Sequence, residues 1–146
     1  MKILLLLVLV ALIAGGYLYY RQWRKEEFLP AKENMITVNL EQVDRPVYIK
    51  AKIWGIAGNN EEIVLSLSNA KVANKESDYI FYTNEVYYKT DKKRTITVYA
   101  PESLISEPQN KLQSVIVDIV GLKNANEKKD YSLNYKKYGL SKVSVY

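Results

Sequence analysis

The chain has 146 residues, of which 48% are hydrophobic and 25% charged, a length that suits one domain. It contains neither cysteine nor histidine. Those two zeros exclude disulfides, thiolate nucleophiles, imidazole acid–base chemistry and Cys/His zinc sites. The net charge of +5 and the pI near 9.2 hint at nucleic acid or anionic lipid, until the charges are located. Lys2, Arg21, Arg24 and Lys25 fall in the first 25 residues, which hold no acid, whereas the rest carries 17 basic and 16 acidic residues. The basic excess therefore flanks the N-terminal apolar segment. Nucleic acid is not an expected partner, because a phosphate-binding face needs several clustered cations.

Residues 3–20, ILLLLVLVALIAGGYLYY, carry no charge. As a helix they would reach roughly 27 Å, near the thickness of a bilayer's hydrocarbon core. Tyr17, Tyr19, Tyr20 and Trp23 crowd one end, and Arg21, Arg24 and Lys25 follow. Amphipathic rings and cations of this kind favour the headgroup region. Residues 1–25 are thus expected to be a signal-anchor helix, with the lipid bilayer as partner. The competing reading is a cleavable signal, with Ala14 and Gly16 as the small residues before a cut at Tyr17. A soluble core helix is disfavoured, since the run has no polar face to show water. The cations after the segment place the rest of the chain in the cytoplasm by the positive-inside rule. The two-residue N-terminal tail and the Tyr-rich, Cys-free body favour export, and an extracytoplasmic body is the expectation.

Residues 26–34, EEFLPAKEN, read as a linker, and residues 35–146 as the folded body. There the apolar residues recur with period two. Met35–Val43 and Val47–Ile56 alternate, the second with Val47, Ile49, Ala51 and Ile53 on one face and Tyr48, Lys50, Lys52 and Trp54 on the other. Glu62–Ser68, Tyr79–Thr83, Glu85–Lys89 and Arg94–Ala100 follow. Leu112–Val120 is the most hydrophobic run and reads as a central strand, interrupted by Asp118. Tyr131–Tyr135 and Lys142–Tyr146 read as closing strands. Pro101–Ser106 suits a short helical turn, with proline pre-set for a first helical position. No helical stripe is visible past residue 28. The expected fold class is all-β: an antiparallel β-sandwich, with immunoglobulin-like architecture as one form and a small barrel as second choice, preceded by one hydrophobic helix.

Motifs with chemistry are few. Ser68-Asn69-Ala70-Lys71 matches the S-x-x-K nucleophile pattern, but no helix start or companion element accompanies it, and it reads as a surface loop. Lys92-Lys93-Arg94 reads as a solvated turn. Glu26-Glu27 and Glu61-Glu62 are acid pairs beside turns, and Asp118 reads as outward-facing or ion-paired. Asn124–Asp130 offers oxygens at alternating positions without the glycine a calcium loop uses, and reads as a flexible connection. Gly55–Gly58 reads as a bend. No catalytic, cofactor or metal residue is expected.

The unusual feature is 13 tyrosines. Tyrosine is large and stiff with a polar tip, which suits contact surfaces as well as cross-strand packing. Tyr48, Trp54, Tyr82, Tyr88 and Tyr99 are the candidate recognition residues. The expected function is a membrane-tethered, non-catalytic module that binds a protein partner at the cell envelope. A glycan or cell-wall binder, anchored or secreted, is the alternative. The first calls for an uncovered strand or aromatic patch, and the second for a groove with aromatics beside Asn, Gln or acids.

Overall fold

The computed structural model describes residues 10–20, 32–55, 58 and 60–146. Residues 10–20 are helical (α1), and every one of them is exposed. Among the described residues no helix is long and apolar enough to cross a membrane. Residues 3–9 of the expected anchor, its flank Arg21, Trp23, Arg24 and Lys25, and residues 26–31 of the expected linker lie outside the described residues. Lys32, Glu33 and Asn34, the end of that linker, already belong to the first strand.

The body is a two-sheet, mostly β structure. One sheet runs β1 (Lys32–Val38), β2 (Val47–Trp54), β3 (Asn60–Ser66), β4 (Tyr79–Phe81) and β7 (Ile105–Ser106), all antiparallel. The other runs β8 (Ile116–Leu122), β6 (Thr95–Pro101), β5 (Glu85–Thr90) and β9 (Ser141–Ser144). Alternation decides which residues meet between them. Val47, Ile49, Ile63, Leu65 and Phe81 from the first sheet share one core with Val86, Ile96, Val98 and Val143 from the second. Phe81 and most of these aliphatics are fully buried, and each such side chain contributes roughly 1.5–3 kcal/mol.

Three expectations are corrected. The second sheet is mixed, because β8 pairs parallel to β6. A parallel partner needs a crossover, and the chain spends residues 102–115 on it, including the short 3₁₀ turn Glu102–Leu104 that the Pro101 signal pointed to. The hydrophobic run at 112–120 is therefore no central strand. β8 stands at the sheet edge with Ile116, Asp118 and Val120 exposed.

The third correction is a helix, α2 (Ala125–Asn134), where a flexible loop and a closing strand at Tyr131–Tyr135 were expected. Its sequence, ANEKKDYSLN, has no broad apolar stripe, so periodicity missed it. Its ends are written in cap chemistry instead. The Asn124 side chain accepts from the Glu127 amide at 3.0 Å, while Glu127 reaches back to accept from the Asn124 side chain and the Lys123 amide. After the helix, the turn closes at Gly139 (φ +69°). The Leu140 amide donates to the Tyr135 carbonyl and the Gly139 amide to Lys136.

Candidate functional site

The outer face of the first sheet carries a column of polar and aromatic side chains. β2 contributes Tyr48, Lys50, Lys52 and Trp54, and the register sets Tyr48 opposite Ser66, Lys52 opposite Glu62, and Trp54 opposite Asn60. Much of this column is not open to solvent. Residues 67–78 form a strap held across it. Lys50 donates to the carbonyls of Ser68 (3.0 Å) and Ala70 (2.6 Å). Ser66 donates to Asp78 at 2.7 Å, and the other Asp78 oxygen accepts from the Asn74 amide. Beneath the strap Lys50 is 3% exposed and Asp78 5%. Burial disfavours the Lys50 ammonium and lowers its pKa, with the Asp78 carboxylate pulling the other way.

The strap reaches only as far as Lys52, which donates to the Lys71 carbonyl and pairs with Glu62 at 2.6 Å. Past that pair the face opens. Trp54, Asn60, Glu61 and Tyr82 line a shallow depression of about 330 Å³. The Lys52 ammonium sits 5.1 Å from the centre of the Trp54 ring. Gly55, at φ +88°, lets the Asn60 amide lie against the backbone, since a Cβ there would stand 2.6 Å from Asn60 Nδ2. The Glu61 carboxylate accepts from the Tyr146 hydroxyl at 3.0 Å, which raises the tyrosine's pKa.

The structure brings two of the five candidate recognition residues together, Trp54 and Tyr82. Tyr48 lies on the same face, but six residues further along β2, roughly 20 Å away. Tyr88 is half-buried against the common core. Tyr99 is buried with Tyr87 on the outer face of the second sheet, beneath α2. There Tyr131 stands 5.3 Å from the Tyr99 ring and Tyr135 stands 5.5 Å from the Tyr87 ring. Half-buried tyrosine in a strand reads alike whether it meets a partner or a helix, and without α2 the sequence could not separate the two. Asn60 and Glu61 were missed as site residues, because an acid pair beside a turn is ordinarily solvated.

The remaining motifs resolve as local structure. The Ser68 hydroxyl accepts from the Ala70 amide, and Lys71 lends its carbonyl to Lys52, so the S-x-x-K segment is part of the strap. The turn at Lys92-Lys93-Arg94 is exposed, and one Asp91 oxygen accepts from the amides of Lys93, Arg94 and Thr95, which holds Asp91 below its ordinary pKa. A second depression, about 240 Å³, is lined by Asn84, Glu85, Leu122 and Lys128 among others. Glu85, the carboxylate among its described lining residues, already accepts from Tyr87 (2.5 Å) and Lys142 (3.2 Å). Burial, then that hydrogen bond, pushes the Tyr87 hydroxyl well above its ordinary value. Among the described residues no three acids gather as a metal site.

Comparison with protein-family models, curated proteins and solved structures finds no match.

Among the described residues the outer edge of β8 is unpaired, and it is the other notable surface. A sheet edge offers unpaired amides and carbonyls, and proteins blunt such edges with shortness or charge. β7 has two residues and β9 has four, including Lys142. β1 carries Lys32 and Glu33. β8 has seven residues, IVDIVGL, and one charge. The Ile116 amide donates inward to Arg94, so by alternation the amides and carbonyls of Val117, Ile119 and Gly121 face outward from the edge. Ile116 (40% exposed) and Val120 (38%) flank Asp118 on the outer face.

Proposed function

We propose that this chain is a membrane-tethered, non-catalytic module that binds a partner protein at the cell envelope by taking an extended segment of it against β8. The observation that carries the reading is the long, nearly uncharged edge of β8 in a body whose other edges are short or charged. A strand added there gains ladder hydrogen bonds from the backbone of residues 117, 119 and 121, and side-chain selectivity from Ile116 and Val120. Such binding needs no sequence motif and no titrating side chain, which fits a chain without histidine or cysteine. The tether reading is supported by the charge-free residues 3–20 and by the exposed apolar side chains of α1, among them Leu12, Ile13 and Leu18. An immunoglobulin-like use of the two-sheet body, by faces and edges rather than clefts, belongs to the same proposal. It places the body outside the cytoplasm.

A photo-crosslinking residue at Val120, in cells, should give a discrete adduct, and one at Met35 on the β1 edge should not. Val117→Pro removes an outward amide while sparing the ladder to β6, and should abolish the adduct. A β8 adduct that survives the proline, or equal labelling from β1, would contradict edge pairing. A topology reporter at Tyr146 that is active only in the cytoplasm would contradict the placement.

A further inference from the structure

The depression past the end of the strap has a chemistry that β8 lacks, and it stands independently of the β8 reading. We propose that Trp54, Tyr82, Asn60 and Glu61 form a subsite for a neutral sugar ring of an oligosaccharide. Three properties point that way. First, the lining combines aromatic rings with an amide and a carboxylate. A pyranose has an apolar face of C–H groups that stacks on an aromatic ring and an equator of hydroxyls that need donors and acceptors. Trp54 and Tyr82, both on the outer face, supply rings. Asn60 supplies donor and acceptor, and Glu61 accepts.

Second, the polar groups are positioned before any ligand arrives. Tyr146 holds the Glu61 carboxylate, and the Gly55 backbone leaves room for the Asn60 amide. The Glu62–Lys52 pair fixes an ammonium near the Trp54 ring. Side chains already ordered lose less freedom when a ligand binds. Third, the electrostatics select against acids. Among the described residues Glu61 is the charged group lining the depression, and the nearby Lys52 is already paired with Glu62. With the Lys32 ammonium 5.2 Å from the centre of the Tyr146 ring, whose hydroxyl holds Glu61, the charges of the described residues around the depression balance, and a uronate or a phosphate meets the Glu61 carboxylate with no excess of positive charge to draw it. At about 330 Å³ the depression lies at the small end for a ligand site, so it suits one or two rings of a chain that continues into solvent.

The test uses full-length protein in a detergent without a sugar headgroup, with Trp23→Phe so that Trp54 alone reports. Neutral hexasaccharides of β-1,4-glucose, β-1,4-N-acetylglucosamine and α-1,4-glucose are titrated against tryptophan emission, beside an oligouronate. At least one neutral oligomer should shift the emission saturably at millimolar concentration, with the oligouronate weaker. Glu61→Gln, which keeps shape and removes charge, should narrow the difference between neutral and acidic oligomers. Tyr82→Ala, at a 44% exposed side chain, should weaken binding about tenfold without loss of the fold, checked by unchanged circular dichroism. No saturable shift from any neutral oligomer, or equal affinity in Tyr82→Ala, would overturn the site. Tighter binding of the oligouronate than of every neutral oligomer would overturn the assignment of charge.

Discussion

The two sheets cover their outer faces by opposite means. The first lies under a strap of residues 67–78, held by a buried lysine, a buried aspartate and main-chain carbonyls. The second lies under α2, held by tyrosine rings stacked on tyrosine rings with Leu140 beside them. Aromatic cover gains free energy from area removed from water and keeps its polar tips at the rim. Polar cover gains little net, because each hydrogen bond replaces one to water and each charge must be desolvated. The difference teaches that the tyrosine cover contributes stability, while the strap contributes shape. The strap also stops short, which leaves Trp54 and Tyr82 open at one end of the face.

The comparison breaks most visibly at Tyr99. Tyr99→Ala removes a ring that is 9% exposed and stacked on Tyr131, and should cost about 3 kcal/mol in urea unfolding. Amides of α2 should lose exchange protection before those of β2 and β3. Replacement of Leu133, which is 71% exposed on the same helix, should change stability by less than about 0.5 kcal/mol and serves as the control. If both cost the same, the tyrosines do not hold the helix.

Asp78→Ala comes next. Its carboxylate accepts from Ser66, Ser77 and the Asn74 amide, and it faces the Lys50 charge. Its loss leaves buried donors without a partner, at a cost of about 2 kcal/mol. The loss should concentrate in the strap, seen as faster proteolysis at residues 68–77, with the common core intact.

These contrasts also mark how far the sequence could be read. Period-two alternation placed β2, β3, β5 and β6 within a few residues, and in β2 it gathered Val47, Ile49, Ala51 and Ile53 on one face, the side that lies in the common core. Alternation could not say what covers the other side. Alternation put Lys50 on the face away from the core, yet it is buried by a loop whose carbonyls it binds. The run at 112–120 looked central because apolar residues on both faces are the ordinary mark of a buried strand. In β8 the outer-facing Ile116 and Val120 stay exposed, and no periodicity distinguishes that from burial. α2 was legible only at its ends, in the Asn124/Glu127 box and in Gly139 after two lysines. Of the site, Trp54 was legible from its face and neighbours. Tyr82 was a candidate as well, Asn60 joins through its register with Trp54, and Glu61, which the register sets opposite the core-facing Ile53, borders the depression all the same.

The smallest effect is the most discriminating one. Lys50→Met keeps the length of the side chain and removes the charge. Burial disfavours the Lys50 ammonium by more than Asp78 favours it, so losing the charge offsets losing the hydrogen bonds to Ser68 and Ala70, and the change at neutral pH should stay within about 1 kcal/mol. The strap should nonetheless exchange faster, having lost its anchors to Ser68 and Ala70. The pH dependence has a definite sign. Burial sets the folded pKa of Lys50 below the ordinary 10.5. Between those two values the unfolded chain still holds a proton that the folded chain has released, so stability rises with pH across that window. Tyr87 shifts the other way, and its contribution is lost as pH rises past its ordinary value, but it is present in both proteins and cancels in the difference. The stability of the natural chain minus that of Lys50→Met should therefore be flat at neutral pH and climb as pH approaches 10.5. A flat difference across the alkaline range would mean that Lys50 is hydrated in the folded protein and that the strap does not seal the face.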